Sequence, residues 1–327
     1  MNTKQPFTWA GAFFNSPGPR TKKASLVLYL KGICMGTADV IPGVSGGTIA
    51  LITGIYEQLL GAIKSFDTNA VKKIFTLQFR KALAGMHARF LIILLAGIAT
   101  AIISIANIMN HLLHHYPVMT WSLFFGLIAA SILVVGTKVE QWNLARSLSF
   151  ILGTVSAWLI VGMIPVSTPE TAWFIFFSGF VAICAMILPG LSGAFLLLIL
   201  GKYEFVTAAL KNPVLPANMV IIAIFCTGCA LGLLCFSRIL NYLLTRWHSA
   251  TLAFLTGLMA GSMRKIWPWK ETLETAVIRG KEHVLRTQNV LPDAFSTEVM
   301  AAIGLAVAGF FIVVALERLS RHKGEEV

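Results

Sequence analysis

Two interruptions inside apolar sequence limit what this chain can become. The stretch Ala38-Asp39-Val40-Ile41-Pro42-Gly43-Val44-Ser45-Gly46-Gly47-Thr48 breaks one apolar region, and Pro189-Gly190-Leu191-Ser192-Gly193-Ala194 repeats its core 147 residues later. The offset holds downstream, where Gly54-Ile55-Tyr56-Glu57 returns as Gly201-Lys202-Tyr203-Glu204. Pro-Gly strips hydrogen bonds from a helix, and within a bilayer such a break survives only where it is buried in protein or lines a polar cavity. Matched breaks in corresponding halves point to a transporter's binding site.

The rest of the composition agrees with a membrane setting. Hydrophobic residues make up 57% of the 327 and charged ones 12%, against about 25% charged in an average soluble domain. The mean hydropathy is +0.78. Net charge is +12, but the positive residues lie mostly in loops beside apolar spans. That pattern reflects topology and anionic headgroups, so no nucleic-acid partner is read from it. Cys34, Cys184, Cys226, Cys229 and Cys235 all lie in or beside apolar segments. Cys226-x-x-Cys229 has no second pair or histidine near it and reads as packing residues. Pro6, Asn15, Pro17 and Pro19 interrupt any signal-peptide core at the N-terminus.

Residues 1–23 are polar and basic and read as a cytoplasmic lead-in. Apolar segments follow at about 24–41, 48–63, 90–109, 118–136 and 148–165, then at 172–188, 194–210, 217–236, 250–263 and 298–316. The shortest flank the two breaks and fall below the roughly 20 residues of a full span. The reading is two re-entrant helical hairpins, 24–63 and 172–210, with tips at 42–48 and 189–195. A second offset, 131, relates Phe125-Gly126-Leu127 to Thr256-Gly257-Leu258 and Gly97 to Gly228. The expected fold is therefore an all-α polytopic membrane protein of two repeats, 24–166 and 167–317, each a hairpin plus three transmembrane helices, with a tail at 318–327. An odd number of crossings per repeat makes the tandem copies inverted. With the N-terminus inside, 18 Lys and Arg fall inside and 8 outside, which places both termini in the cytoplasm. The loop 264–297, rich in both charges, reads as external. In the loop 64–89, Val71, Ile74, Phe75, Leu83 and Met86 recur near helical spacing beside Lys72, Lys73, Arg80 and Lys81. That suits either an amphipathic surface helix or a solvated linker.

Chemistry concentrates at the breaks. After Pro42-Gly43 and Pro189-Gly190 a helix restarts at Ser45-Gly46-Gly47-Thr48 and at Ser192-Gly193. Its first amides lack carbonyl partners and carry the positive end of the helix dipole, which suits a phosphate. Close packing of small residues is the alternative use of such a segment. Charges within apolar sequence are costly, so Lys31, Asp39, Glu57 and Glu204 are candidates for charge coupling or gating. Glu57 and Glu204 either exchange protons, pair with Lys31, Arg238 or Arg264, or anchor at the interface with Tyr56 and Tyr203. Arg264-Lys265, followed by Ile266-Trp267-Pro268-Trp269, is either a phosphate-attracting pair at the outer mouth or a basic-aromatic belt. His111, His114 and His115 read as a solvated external turn. No Walker loop and no dinucleotide fingerprint is present, and no cofactor or metal is expected.

These residues carry a resemblance. Lys31-Gly32-x-x-Met35-Gly36-x-Ala38-Asp39-x-Ile41-Pro42-Gly43-Val44-Ser45-Gly46-Gly47-Thr48, with Gly54-Ile55-Tyr56-Glu57, resembles the signature of the bacterial polyprenyl-phosphate transporter family of the PopT type. Leu188-Pro189-Gly190-Leu191-Ser192-Gly193, Lys202-Tyr203-Glu204 and Gly261-Ser262-x-Arg264-Lys265-x-Trp267-Pro268-Trp269 are similar to it as well. The resemblance implies a flippase of the bacterial cytoplasmic membrane. It would return undecaprenyl phosphate, its lipid partner, to the cytoplasmic leaflet for cell-envelope glycan synthesis; a homodimer stays open. The first break also partly resembles the Pro-Gly-x-Ser-Arg-Ser-Gly loop of membrane undecaprenyl-pyrophosphate phosphatases. Gly46 stands where that loop has arginine, and neither hairpin contains a histidine. Phosphoryl transfer needs such groups, so the expectation is not an enzyme. A small-anion transporter is the third reading.

Overall fold

The computed structural model describes residues 9–41, 44–66, 72–73, 76, 78–278, 281–292 and 294–322. The first half runs α1 (Trp9–Asn15), α2 (Lys22–Val40), α3 (Gly46–Ile52), α4 (Tyr56–Lys64), α5 (Phe79–Gly85), α6 (Ala88–His115), α7 (Pro117–Gly136) and α8 (Leu144–Val161). The second runs α9 (Ala172–Ile187), α10 (Gly193–Ile199), α11 (Tyr203–Lys211), α12 (Pro216–Arg246), α13 (His248–Ile266), strands β1 (Lys270–Ile278) and β2 (Lys281–Asn289), and α14 (Thr297–His322). The helices start where the chain supplies caps. Thr21 Oγ1 accepts from the Ala24 amide at 3.1 Å and Asn143 Oδ1 from that of Arg146 at 3.0 Å. Pro117 and Pro216 open α7 and α12 at the position where a missing N–H costs nothing.

Among the described residues five helices, α6, α7, α8, α12 and α14, are long and apolar enough to cross a membrane, or seven spans if each bent pair counts as one. Large apolar side chains such as Ile103, Leu144 and Leu152 stand exposed on them. In water that surface would be a liability; against lipid it is the expected outer face.

The same run of elements occurs twice. Gly46–Ile52 and Tyr56–Lys64 correspond, at the 147-residue offset, to Gly193–Ile199 and Tyr203–Lys211. At the 131-residue offset α6 and α12 end at His115 and Arg246, and α7 and α13 begin at Pro117 and His248. Packing repeats too. Gly32 of α2 lies against Leu94 O and Gly97 of α6, while Gly179 of α9 lies against Phe225 O of α12 and Gly228 against Phe176 O. Small residues let these backbones touch, which is how helices associate without a hydrophobic drive. The later helices exchange partners between halves: α7 packs on α14, with Gly309 against Leu123 O, and α13 packs on α8, with Gly257 against Phe150 O. Helix α13 is largely enclosed, with Leu255, Leu258, Met259 and Ile266 at 2% exposure or less.

Each half carries a second interruption beyond its Pro-Gly break. Helices α3 and α4 meet at 115°, and α10 and α11 at 111°. Gly54 and Gly201 make the corners with φ of +72° and +62°, a region a side chain disfavours. The hairpins are therefore a long helix, a break, and a bent pair of short helices.

Several segment limits move. α12 runs ten residues past the expected end at 236 and takes Arg238 into a helix. His111, His114 and His115 are the last turns of α6 rather than an external turn, with the His111 and His115 rings stacked at 4.1 Å. The lead-in contains α1, tied down by Arg89, whose guanidinium donates to Phe14 O at 3.2 Å and Gly18 O at 2.8 Å. In the loop 64–89, Val71, Ile74 and Phe75 lie outside the described residues, and α5 follows them. The loop 264–297 holds an antiparallel hairpin that pairs Lys270 with Asn289 at one end and Ile278 with Lys281 at the other, with an irregularity in register around Glu274. Cys229 and Cys184 reach carbonyls across the α9–α12 contact, Gly179 O and Gly232 O, as packing residues do.

Candidate functional site

The two breaks meet. A helix leaves its last carbonyls without partners, and those of α9 are capped by hydroxyls from the other half. Ser45 Oγ lies 3.2 Å from both Met186 O and Leu188 O. Tyr56 OH donates to Ile187 O at 3.0 Å. In return the Gly190 amide donates to Thr48 Oγ1 at 3.0 Å. Gly190 itself, at φ +85°, lies against Leu258 and Met259 of α13. Ser45, Gly46, Gly47 and Thr48 are all buried.

The α3 N-terminus already holds an anion of the protein's own. Asp39 Oδ1 accepts from the Gly46 amide at 2.7 Å, and Ser45 Oγ accepts from that of Gly47 at 3.1 Å. A Cβ at Gly46 would sit 2.5 Å from Asp39 Oδ2, so only glycine admits the carboxylate. The second break differs. The position equivalent to Asp39 is Met186, and Ser192 Oγ caps only the Phe195 amide, at 3.4 Å. Gly193 packs against Ala182 O. Pro189 lies in this break; Pro42 and Gly43 lie outside the described residues.

The other candidate charges do not gather at the tips. Lys31 Nζ donates to Thr53 O at 2.6 Å, beside the Gly54 corner. Arg238 donates to Leu234 O and, at 3.0 Å, to Phe66 O. Glu57 meets His248 at 3.3 Å, both exposed, rather than Lys31, Arg238 or Arg264. Glu204 opens α11, in the first turn.

A cationic cluster lies beside the second break, and sequence reasoning saw only part of it. Arg264 at the end of α13 stacks on Trp158 of α8, 4.4 Å from the ring centre. Lys265 Nζ lies 4.5 Å from the ring of Phe195, which caps onto Ser192. Lys270 Nζ lies 4.3 Å from the ring of Trp121 on α7 and donates to Lys265 O. Burial, with Lys265 next to it, lowers the Lys270 pKa to about 7. Among the described residues no carboxylate contacts Arg264, Lys265 or Lys270. The clue in the sequence was the basic-aromatic run after Ser262. Lys270 could not be placed from it, because Trp121 is brought to it only by the α7–α13 packing.

Beside this cluster runs an apolar groove of about 360 Å³ between α7, α14 and the Trp267-Pro268-Trp269 turn. Ser122 and Phe125 line it from α7, Ala302 and Phe311 from α14. The Ser122 hydroxyl is buried there without a hydrogen-bond partner among the described residues.

Lipid-facing helices around two broken, mutually capped ones are the architecture of a multi-pass membrane transporter. Relatives agree. Residues 35–284 match the undecaprenyl phosphate translocase-like family, and the chain belongs to it. It is 43% identical over 300 residues to a polyprenyl-phosphate transporter of Vibrio cholerae, covering 90% of this chain and 96% of that one. It is 32% identical over 256 residues to a polyprenyl-phosphate transporter of Staphylococcus aureus, covering 73% of this chain and 85% of the relative. Both relatives are named as transporters rather than phosphatases. No solved structure matches.

Proposed function

We propose that the protein moves undecaprenyl phosphate from the outer to the cytoplasmic leaflet of the bacterial cytoplasmic membrane, returning the lipid carrier for cell-envelope glycan synthesis. The relative matched over nearly the whole of both chains, a polyprenyl-phosphate transporter, carries this reading. The long tail stays in lipid while the phosphate passes beside the two breaks, with one hairpin entering from each leaflet and both termini cytoplasmic. Ser45, Gly46, Gly47 and Thr48 with Ser192 and Gly193 form the headgroup path, and Arg264 attracts the phosphate at its outer mouth. Because Asp39 occupies the Gly46 amide, the phosphate must displace a carboxylate to use that helix end. Two anions competing for one set of donors give a site that binds and then lets go, as a carrier requires. Glu57, Glu204, Lys31 and Arg238 adjust charge around the path as it opens.

The test is a reconstituted flip assay with undecaprenyl phosphate, with and without a pH gradient, on the parent and on Glu57→Gln and Glu204→Gln. Flipping by the parent supports the function. Phosphate released from undecaprenyl pyrophosphate, without flipping, would replace it with the phosphatase reading. Parent-level flipping by both variants at every pH would remove the two carboxylates from the mechanism.

A further inference from the structure

The cation cluster and the groove share a boundary. Trp121 stacks under Lys270, and its chain neighbour Ser122 lines the groove; Trp269 lines the groove, and the next residue is Lys270. We propose that Lys265 and Lys270 seat the phosphate of the transported lipid, and that the groove between α7 and α14 seats the first isoprene units attached to it. This rests on reading the protein as a polyprenyl-phosphate transporter, and it adds a place for that lipid which neither hairpin break supplies.

Three observations converge. First, the Lys270 ammonium donates to the main-chain carbonyl of Lys265, the Lys265 charge acts on it, and neither lysine is in a salt bridge among the described residues. Like charges so placed repel, and an anion between them relieves the repulsion. Second, the Ser122 hydroxyl is 1% exposed and lacks a partner among the described residues. A buried donor without an acceptor is costly, and a phosphate oxygen at the groove mouth supplies one. Third, the groove wall is almost wholly apolar and reaches the lipid-facing side chains Ile303, Val307 and Phe311 of α14. A tail can therefore leave it for the bilayer without crossing protein.

The chemistry selects one occupant. A polyprenyl phosphate is a monoester of about −1.5 to −2 charge at neutral pH, on a single linear tail. Two lysines match that charge, and one narrow groove matches that tail. A glycerophospholipid offers a singly charged diester and two diverging chains. The aromatic rings under the cations hold the ammonium groups in place and weaken their hold on water, which prepares them for an anion.

Binding decides it. Full-length protein in nanodiscs of phosphatidylcholine is titrated calorimetrically with geranyl phosphate, with inorganic phosphate, and with phosphatidylglycerol added to the disc as a competitor. The parent should bind geranyl phosphate, and phosphatidylglycerol should compete poorly. Lys265→Gln and Lys270→Gln should each weaken binding about tenfold or more, the scale of one charged hydrogen bond. Lys270→Arg should keep most of it, which separates lost charge from lost fold. Ile303→Trp should weaken geranyl phosphate and leave inorganic phosphate unchanged. Equal affinity for geranyl and inorganic phosphate would refute the groove, and parent-like binding by both glutamine variants would refute the lysines. Strong competition by phosphatidylglycerol would make the site one for ordinary lipid. If the parent flips undecaprenyl phosphate while any of these failures occurs, the inference falls and the transport function stands.

Discussion

In the proposed headgroup path, Asp39 holds the place an incoming phosphate would take. Its carboxylate reaches forward seven residues, across the first break, to the Gly46 amide. Replacing it with the isosteric amide tests this. Asp39→Asn keeps an acceptor but removes the charge, so it competes less with a bound phosphate. The expected result is tighter binding of polyprenyl phosphate and slower turnover in the flip assay; unchanged affinity and turnover would show that Asp39 only staples the loop. Lys270 makes a second residue-scale prediction, on pH. With its pKa lowered to about 7, Lys270 is charged below that pH and neutral above it, so affinity for a phosphate monoester should fall as pH rises through 7. The ester sheds its second proton near pH 6, so affinity should peak between about 6 and 7. The groups facing Lys270 are Trp121 from α7, Lys265 from α13 and Asn289 opposite on β2, with exposed Glu271 next in its own strand. Lys270→Arg stays charged throughout and should lose the alkaline fall. A parent profile flat from pH 6 to 9 would exclude Lys270 from binding.

At the scale of elements, glycine packing and glycine corners do separate jobs. A Cβ on Gly228 would run into Phe176 O, whereas one on Gly61, mid-helix in α4, meets nothing within 4 Å. Gly228→Val should therefore destabilise the α9–α12 pair by about 1–3 kcal/mol, the range for overpacking. Gly61→Ala should stabilise by roughly 0.5–1 kcal/mol from helix propensity. Thermal unfolding in detergent should move in opposite directions for the two; a shift of the same sign would mean the contact is loose. These elements were unequally legible beforehand. The apolar spans, the repeat and the small-residue contacts were readable, because lipid and close packing act on composition and spacing. The corners were not. Gly54-Ile55-Tyr56-Glu57 was visible as a repeated motif, but a positive φ leaves no mark that distinguishes it from any other glycine. Nor was the extension of α12 to Arg246, since Arg238 looks like a terminus until carbonyls of Leu234 and Phe66 receive it. The Ser45 and Thr48 hydroxyls stood out in the sequence, yet their partners on α9 and at Gly190 belong to the other half and cannot be found by local pattern.

For the whole molecule, the exchange of partners is the informative feature. α7 packs on α14 and α13 on α8, so each half completes the other, and neither repeat buries its own faces alone. Such reciprocal pairing is what a two-fold axis between repeats produces. If α6 to α8 and α12 to α14 all cross and each whole hairpin crosses either not at all or twice, each half makes an odd number of crossings, and we propose on that ground that the axis lies in the membrane plane. On that proposal the Lys and Arg bias would put both termini in the cytoplasm, His114 at the far end of α6, and the Lys265–Lys270 cluster on the outer side, where lipid phosphate would be collected. Labelling of single-cysteine variants in a background lacking the five native cysteines tests the arrangement. A membrane-impermeant maleimide added to intact cells should reach His114→Cys and Glu271→Cys without lysis and Lys323→Cys only after it. If His114→Cys and Lys323→Cys label on the same side, the odd repeat is wrong. If they differ but Glu271→Cys is protected, the cluster faces the cytoplasm and the lysines act in release of the phosphate rather than its capture.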